Sequence, residues 1–376
     1  MDFSIPDTHH DVQALCNRVL KDFSTQERLR EMDSQSQAWD HALWQQFVDS
    51  GLHLISLPES IGGSALDLHA AAAVAQSIGE HTAHTPWLYC IAIAHGLSSF
   101  EQQDAVSDLL NALTQGRVIC TPAMIELGND VLEAPATRAE HNDNGWQLNG
   151  NKDCVPYAAD AEQLLVTASC EHGLWLGLVR KDQAGVVEED QLATHGEPQS
   201  HITFHNAHAA CLAYGEDATH LVQQINNLLL ALQCATAIGV AKAMLDLAAQ
   251  YTGQRKQFGV AIGTFQAVAH RLADCYIAIE RLKILTLKAV DDVDQKHPGA
   301  MLSCAMAKAL CGDVLHDVSQ ATQHVHGGMG IDRDYPLFRY CQWAKHLELH
   351  LGGTQHHLCR LADALEKQTL SDCTGS

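Results

Sequence analysis

The sequence reads RKQFGVAIGTFQ at residues 255–266, between two long stretches with a helical pattern of apolar residues. Apolar side chains recur at spacings of three and four on both sides, which predicts that Arg255 ends one helix and Gln266 begins the next. A guanidinium can bind a diphosphate through two parallel hydrogen bonds, and a nearby amide can add another. An Arg at a helix end can equally interact with the helix dipole, so this segment alone leaves both interpretations open.

Helical periodicity extends through most of the C-terminal part of the chain. It predicts four long helices, at about 221–251, 263–292, 298–325 and 354–366. Long antiparallel helices joined by short breaks are typical of a bundle. We therefore predict a four-helix bundle over residues 218–376.

The rest of the chain divides into a helical and a β-rich region. Residues 1–115 carry helical spacing interrupted by a Pro and a Gly pair, which predicts an N-terminal helical domain. Residues 116–217 carry short apolar runs separated by Asn-Gly pairs at 144–145 and 149–150. This pattern predicts an antiparallel middle domain, a β-sandwich or a barrel-like sheet. The fold class is therefore mostly α with a central β domain.

Composition narrows the classes of function. Apolar residues make up 46% of the 376 residues, which excludes bulk disorder. The net charge of −22, from 23 basic and 45 acidic residues, argues against nucleic acid and anionic membranes as partners. Thirteen Cys without CxxC spacing indicate reduced thiols. With no visible secretion signal and no expected transmembrane helix, this composition predicts a cytoplasmic protein.

The 24 His residues raise the question of a metal site. The densest group comprises His195, His201, His205 and His208, without the paired helical spacing and nearby Glu that zinc hydrolases use. Solvated or hydrogen-bonded His is the better interpretation, and we expect no metal.

Two further segments contain closely spaced glycines. Residues 323–330 read QHVHGGMG, and residues 334–340 read DYPLFRY, with LGGT following at 351–354. Glycines let the backbone approach a ligand and expose its N–H groups, although a helix cap with a Gly-rich turn has the same composition. By composition the last two segments predict only a loop, a short amphipathic helix and a second Gly turn.

In this order and spacing, the three segments resemble the acyl-CoA dehydrogenase family. Its members carry Arg-x-x-Phe-Gly, Phe-Gln, Gly-Gly-x-Gly, a Tyr-Pro and Arg helix, and a Gly-Thr turn. The PESIGG at 58–63 and the NGNK at 149–152 also match, so the resemblance spans nearly the whole chain. It implies an FAD-dependent oxidation of an acyl-CoA substrate to the 2,3-enoyl-CoA. A carboxylate removes the α-proton while the β-hydrogen leaves as hydride to the flavin.

Two departures concern the catalytic base. In most family members the base is a Glu directly before the Gly-Thr turn, and the matching position here is Gly352. In the isovaleryl and long-chain branch the base lies on the first bundle helix, and the matching position is Leu229. Neither residue can accept a proton, so the catalytic residue of this chain is unknown.

Other departures concern the residues that pack on the flavin ring. The family's Thr-Glu-Pro region reads TPAMIE here at residues 121–126, and its Trp-Ile-Thr region reads CVP at 154–156. Cys154 stands in place of the Trp, and Pro156 in place of the Thr that hydrogen-bonds the flavin. Proline also lacks a backbone N–H. The chain's own flavin-ring site is therefore predicted to be lost.

The residues that the family uses at the FAD of a neighbouring subunit are largely present. One departs, because a family Gln is replaced by His324, which can still donate a hydrogen bond. The cofactor-binding residues that the resemblance implies are Arg255, Phe258, Gln266, His324, Gly327, Gly328 and Thr354.

The chain keeps the residues that the family uses at the FAD of a neighbouring subunit, and it lacks those that hold the flavin ring in its own subunit. It resembles the degenerate subunit of heterotetrameric (α2β2) acyl-CoA dehydrogenases of steroid side-chain degradation, which implies a homologous catalytic subunit as partner. An electron-transfer protein is a further possible partner. The small Gly352 suggests space for a bulky acyl chain.

Three alternatives stay open. A self-sufficient homotetramer could use a relocated base, Glu348 or His350, although both could be ordinary surface residues of a charged helix. A flavin-dependent monooxygenase of the same fold also lacks the Glu and would consume oxygen. A purely structural partner would not use Arg255 or Gln266 to bind FAD.

Overall fold

The structure is a computed structural model that describes residues 7–34, 39–100, 104–129 and 131–374. Helices account for about 60% of the residues that the structure describes. The chain forms two compact units. The unit that we call the helical unit comprises residues 1–29, 67–83 and 230–376, and the barrel unit comprises residues 30–66 and 84–229.

The β-strands of the barrel unit form one seven-stranded sheet. They are β1 (Cys120–Ala123), β2 (Arg138–Asn142), β3 (Gly145–Pro156), β4 (Gln163–Cys170), β5 (Gly173–Arg180), β6 (Val186–Gln191) and β7 (Gln199–Tyr214). Hydrogen-bonded pairing runs from β4 through β2, β3, β7 and β5 and returns to β4, so these five strands close a barrel. Outside this ring, β1 pairs with β4 and β6 pairs with β7.

The barrel differs from the predicted antiparallel domain in its strand directions. Strand β1 runs parallel to β4, and β2 meets β4 through a single parallel pair, Arg138 with Ser169. Strands β4 and β5 have buried apolar side chains at successive positions, because their two faces are both covered. Strands β2 and β6 were not predicted, since they are mostly polar and largely exposed.

The two Asn-Gly pairs have different roles. The break predicted at residues 144–145 is confirmed, since Asp143 and Asn144 form the turn between β2 and β3 and Gly145, at φ 93°, begins β3. Residues 149–150 lie inside β3 instead, where the pairing with β7 shifts register. Gly150 is needed there because a Cβ would lie 2.7 Å from the Cα of Thr137. The second pair is therefore part of a β-bulge, and the prediction of a break between strands was wrong.

Helices of the barrel unit include α3 (His41–Asp49), α5 (Trp87–Leu97) and α6 (Asp104–Thr114), and α2 (Gln26–Ser34) spans the division between the units. Asp40 caps α3, because its carboxylate accepts hydrogen bonds from the N–H groups of Ala42 and Leu43. The buried indole of Trp87 donates to the carbonyl of Leu52 at 2.9 Å.

The helical unit contains the long C-terminal helices. Its elements are α1 (Asp7–Phe23), α4 (Leu68–His81), most of α7 (Glu216–Gln254), the hairpin β8–β9 (Lys256–Gln257 and Val260–Ala261), α8 (Gln266–Asp294), α9 (Ala300–His326), α10 (Leu337–Leu349) and α11 (Thr354–Thr374). Helices α8, α10 and α11 each pack on α9, and α4 packs on α1 and α8. The core includes the fully buried Leu232, Val240 and Leu315.

Helix α7 is longer than the sequence pattern predicts, since it begins at Glu216 and continues to Gln254. Among the residues that the structure describes, it is the one helix long and apolar enough to cross a membrane by composition. Most of its apolar stretch is buried inside the protein, as expected of a core helix.

A buried cation holds the end of α10. The ammonium of Lys308 on α9 is fully buried and donates hydrogen bonds to the carbonyls of Leu347 and Glu348, at 2.9 and 3.1 Å. These carbonyls belong to the last turn of α10, where a helix has no further N–H partners and its dipole favours a positive charge. Lys308 therefore fixes the start of the glycine turn at 351–354.

Candidate functional site

Arg255 directly follows the last residue of α7 and leads into the β8–β9 hairpin. Its N–H donates to the carbonyl of Tyr251, and its carbonyl accepts from the N–H of Ile262, both at 2.8 Å. These backbone bonds fix the chain on both sides of Arg255 while its side chain stays exposed. The hairpin was not predicted, but the expectation that Gln266 begins the next helix agrees with the start of α8.

The tip of the hairpin presents an aromatic side chain to solvent. Phe258 and Gly259 both have positive φ, 53° and 85°, as a two-residue hairpin turn requires. Glycine adopts this conformation freely, whereas a Phe there costs on the order of 1 kcal/mol. The Phe258 side chain is also 94% exposed. The free chain thus keeps a strained and solvated aromatic residue at this position.

The 3₁₀-helical turn after α9, Gly327–Ile331, begins with two exposed glycines. Gly327 has φ 59° and ψ −133°, a conformation that essentially only glycine adopts. Among the residues that the structure describes, a Cβ at Gly327 or Gly328 would meet no atom within 4 Å. At Gly330, by contrast, it would lie 2.8 Å from the carbonyl oxygen of Gln323. Packing within the chain therefore explains Gly330 but leaves the space beside Gly327 and Gly328 open to a bound group.

His326 brings the ends of α7 and α9 together. Its ring stacks on Tyr251 with centroids 4.6 Å apart. Nδ1 lies 2.7 Å from the carbonyl of Thr322 and Nε2 lies 3.1 Å from the hydroxyl of Tyr335. Burial lowers the pKa of His326, so the ring is neutral and donates from Nδ1 to the carbonyl. Arg255 and Gly327, which adjoin Tyr251 and His326, therefore lie at the same end of the helical unit.

His324 lies on the exposed side of the same helix turn. A guanidinium nitrogen of Arg271, on α8, lies 2.6 Å from its Nδ1. This contact joins the first turns of α8, which Gln266 begins, to the end of α9. Direct contacts thus join three helix ends, which carry Arg255, Gln266, and His324 with the 3₁₀ turn at 327–331.

Thr354 has a structural role within the helical unit. Its hydroxyl lies 3.0 Å from both the carbonyl of Ala309 and the carboxylate of Asp313, on α9. A Cβ at Gly312 would lie 2.3 Å from that hydroxyl oxygen, so the glycine allows α11 to approach α9. A hydroxyl has one proton to donate. Thr354 anchors α11, and its contact with a cofactor stays a prediction.

Gly352, which stands where most family members have the catalytic Glu, has a backbone conformation that disfavours a side chain. Gly352 has φ 95°, and a Cβ there would lie 2.5 Å from Cδ2 of His356 and 3.0 Å from Nε2 of His357. Nε2 of His357 donates to the carbonyl of Leu351 at 2.9 Å, and burial lowers the pKa of this His to about 4. Neighbouring imidazoles fill the direction in which a side chain would extend, so the small Gly352 does not enlarge a pocket.

The two candidates for a relocated base have different surroundings. The carboxylate of Glu348 lies 2.5 Å from the ammonium of Lys345 and 3.8 Å from His316. Nδ1 of His350 lies 2.8 Å from the amide nitrogen of Gln233, which is buried on α7 four residues after Leu229. His350 therefore contacts α7 four residues from the alternative family base position, whereas the carboxylate of Glu348 forms an ion pair with Lys345.

In the barrel unit, the segment matching the family's flavin-ring region is bonded to its own neighbours. Cys154 has φ 50° at a register shift between β3 and β7, and its N–H donates to the side chain of Gln191 at 2.8 Å. The hydroxyl of Thr121 donates to the carbonyl of Pro156. Burial raises the pKa of the Cys154 thiol, so it is not a reactive thiolate.

A buried ion pair stands directly before this segment. The ammonium of Lys152 lies 2.7 Å from the carboxylate of Glu126 and 3.2 Å from the hydroxyl of Thr167. Burial lowers the pKa of Lys152 to about 8, against the opposing effect of Glu126. Burial alone would raise the pKa of Glu126, but Lys152 and two backbone N–H donors lower it to about 2. Both groups are charged near neutral pH, and they anchor β3.

Of the four His residues grouped in the sequence, His201 has an ordinary hydrogen-bonding role. Nδ1 of His201 lies 2.7 Å from the carboxylate of Asp153, and its Nε2 lies 3.3 Å from the hydroxyl of Thr203. Buried His195 lies 3.9 Å from Glu197. These contacts agree with the hydrogen-bonded interpretation of His201.

Sequence comparison identifies the family. The acyl-CoA dehydrogenase N-terminal domain matches residues 6–117, and the acyl-CoA dehydrogenase C-terminal domain matches residues 228–366. The acyl-CoA dehydrogenase FadE27 of Mycobacterium tuberculosis is 29% identical, over 97% of this chain and 99% of its own length.

Two solved structures share sequence and fold. A variant of the Tcur3481-Tcur3483 steroid ACAD has 31% identity and a TM-score of 0.91, over 97% of this chain and 99% of its own. The ChsE4-ChsE5 complex of Mycobacterium tuberculosis has 28% identity and a TM-score of 0.88, with the same coverage.

The chain belongs to the acyl-CoA dehydrogenase family, whose members are FAD-dependent oxidoreductases. This confirms the family and the cofactor predicted from the sequence. The residues at the end of the helical unit fit that cofactor chemically, since a guanidinium, an amide and a backbone turn without side chains at Gly327 and Gly328 suit a diphosphate.

Proposed function

We propose that this chain is the subunit of a heteromeric acyl-CoA dehydrogenase that completes the FAD site of a homologous catalytic partner. One observation carries the proposal. The helical unit presents Arg255, Phe258 and the 3₁₀ turn at Gly327 and Gly328 outward, and a Cβ at either glycine would meet no atom of the described residues within 4 Å. Such a surface is suited to a group held by a second polypeptide.

The barrel unit supports the same division of roles. A chain that held its own flavin ring would need free donors along residues 154–156, where the family hydrogen-bonds the cofactor. Here the N–H of Cys154 is bound by Gln191, and Pro156 has no N–H. Residues 154–156 therefore offer no free backbone donor at these two positions, which supports the proposal that this flavin-ring site is lost.

When bound, FAD accepts the hydride that leaves the β-carbon of the acyl-CoA. In this proposal Arg255 binds and orients the diphosphate, Gln266 and His324 add hydrogen bonds, and the lack of side chains at Gly327 and Gly328 lets the backbone approach it. The chain supplies no proton acceptor at Gly352 or Leu229, so the base belongs to the catalytic subunit.

We further propose a bulky acyl-CoA, a steroid side-chain ester, as substrate of the complex. The support is the likeness to a steroid ACAD over nearly the full length of both chains. The small size of Gly352 does not support a bulky substrate, because His356 and His357 fill the adjoining space. Turnover of a steroid side-chain CoA ester should exceed that of linear esters, and the reverse preference would refute this assignment.

The proposal also includes a division into three domains, over residues 1–115, 116–217 and 218–376. In the third domain, α7, α8, α9 and α11 would form the four-helix bundle. We also retain an α2β2 assembly, a cytoplasmic location and an electron-transfer protein as acceptor. A stable α2β2 complex would show one mass by light scattering and equal amounts of the two chains.

The second candidate is a self-sufficient enzyme that uses His350 as its base. The contact of His350 with Gln233 on α7 favours it over Glu348. This alternative predicts that the purified single chain binds one flavin per chain and oxidises an acyl-CoA. The main proposal predicts that the chain alone is colourless and inactive.

The central experiment isolates the tagged chain with its partner and measures flavin per chain and FAD affinity. We expect half as many flavins as chains. Arg255→Ala removes a charge-assisted hydrogen bond and should weaken FAD binding by about 1.5–3 kcal/mol. Arg180→Ala is the matched control, since Arg180 is an exposed Arg paired with Asp182 on the barrel unit. Unchanged FAD affinity in Arg255→Ala would favour a purely structural partner, and oxygen uptake with reduced flavin would favour a monooxygenase.

A further inference from the structure

Arg271 and His324 form a side-chain pair that the motif pattern does not include. Arg271 lies on α8, five residues after Gln266, and His324 lies on α9, three residues before Gly327. Both side chains are exposed, and the guanidinium nitrogen and Nδ1 are 2.6 Å apart.

The chemistry of this pair determines where the imidazole carries its proton. A guanidinium only donates hydrogen bonds, so Nδ1 must accept with a lone pair. In a neutral imidazole the proton then resides on Nε2, at the opposite edge of the ring. The contact with Arg271 therefore leaves His324 with a single N–H donor that points away from the guanidinium.

We propose that Arg271 is a positioning residue that holds His324 as an Nε2–H donor toward an acceptor atom of FAD. This inference rests on the proposed function and assigns a reason for the His that stands where the family has a Gln. A Gln amide always offers an N–H. A neutral imidazole has an N–H at Nε2 in one of its two tautomers, and Arg271 selects that tautomer.

The test compares four forms of the isolated complex: the unaltered protein, Arg271→Met, His324→Gln and the double variant. FAD affinity is measured by titrating the flavin-depleted complex with FAD. Arg271→Met should weaken binding roughly three- to tenfold, the effect of losing one neutral hydrogen bond. In the His324→Gln background Arg271→Met should have no further effect on FAD affinity, because an amide offers an N–H without tautomer selection.

Two outcomes would overturn the inference. If Arg271→Met weakens FAD equally in both backgrounds, Arg271 acts through its charge and not through His324. If it has no effect in either background, the pair has no role in binding. Arg255→Ala serves as the reference variant. If Arg255→Ala weakens FAD binding and Arg271→Met does not, the proposed function stands and only this inference fails.

A second measurement does not depend on FAD or on the partner. Nitrogen NMR of the full chain labelled with ¹⁵N-histidine separates protonated from unprotonated ring nitrogens, and His324→Gln identifies the His324 signals by difference. We expect an unprotonated Nδ1 and a protonated Nε2, and a mixture of tautomers in Arg271→Met. A protonated Nδ1 in the unaltered chain would refute the proposal.

Discussion

Gly79 on α4 and Gly239 on α7 occupy reciprocal positions, each against the backbone of the other helix. A Cβ at Gly79 would lie 2.0 Å from the carbonyl oxygen of Thr236, and a Cβ at Gly239 would lie 2.0 Å from that of Gln76. Non-bonded carbon and oxygen atoms cannot approach so closely, so no side chain fits at either position. The two helices of the helical unit are therefore in direct backbone contact.

Gly239→Ala should destabilise the protein by about 1–3 kcal/mol, because the added methyl must separate two packed helices. The free energy of unfolding in urea measures the effect. Gly253→Ala is the matched control on the same helix, since its Cβ would meet nothing within 4 Å. The control should raise stability by up to about 1 kcal/mol through helix propensity. Equal effects of the two substitutions would contradict the backbone contact.

Gly352→Glu should fail to restore a catalytic base in this chain. The residue has φ 95°, and its Cβ would press on His356 and His357, so we expect a loss of about 1–3 kcal/mol of stability. Activity of the purified chain with an acyl-CoA and FAD should stay at background. Gly353→Ala, whose Cβ would meet its nearest atoms at 3.8 Å, should be tolerated. A gain of dehydrogenase activity in Gly352→Glu would show that the chain retains its own flavin site.

Acid should weaken the barrel unit through Glu126. Its folded pKa of about 2 lies below its ordinary value of 4.5, so its contribution to stability is full above pH 4.5. That contribution is lost as the pH falls toward 2. Unfolding free energy measured against pH should decline in this window, and Glu126→Gln should flatten the decline. Glu188→Gln, at the more exposed pair with Lys181, should leave the profile unchanged.

Phe258→Asn should separate stability from cofactor binding. Asn tolerates positive φ better than Phe does, and little packing is lost from a side chain that is 94% exposed. The melting temperature of the free chain should therefore stay equal or rise slightly. FAD retention by the complex should fall, because Phe258 belongs to the proposed shared site. A drop in the melting temperature of the free chain would mean that Phe258 packs within its own subunit.

The long helices could be predicted because their apolar spacing repeats over many turns. Helices α8 and α9 begin and end close to the predicted positions. Strands β2 and β6 could not, since polar exposed strands carry no apolar alternation. The β8–β9 hairpin was missed because Phe258 occupies a turn position at which Gly, Asn or Asp is usual.

The candidate site was predictable as a set of motifs but not as a set of contacts. Arg255, Gln266 and Gly327 stand in recognisable segments of the sequence. The partners that position them are far apart along the chain, as with Tyr251 and His326 or Arg271 and His324. Only the folded structure reveals such pairs. The closure of Cys154 by Gln191, 37 residues away, is of the same kind.

The β8–β9 hairpin also bears on how the protein is handled. Phe258, Val260 and Phe265 are 94%, 45% and 36% exposed on one short segment. Apolar surface of this kind promotes self-association when its intended neighbour is missing. Recombinant production of the chain by itself should therefore favour aggregates, and under the proposed function simultaneous expression with the catalytic subunit should reduce them by covering the hairpin.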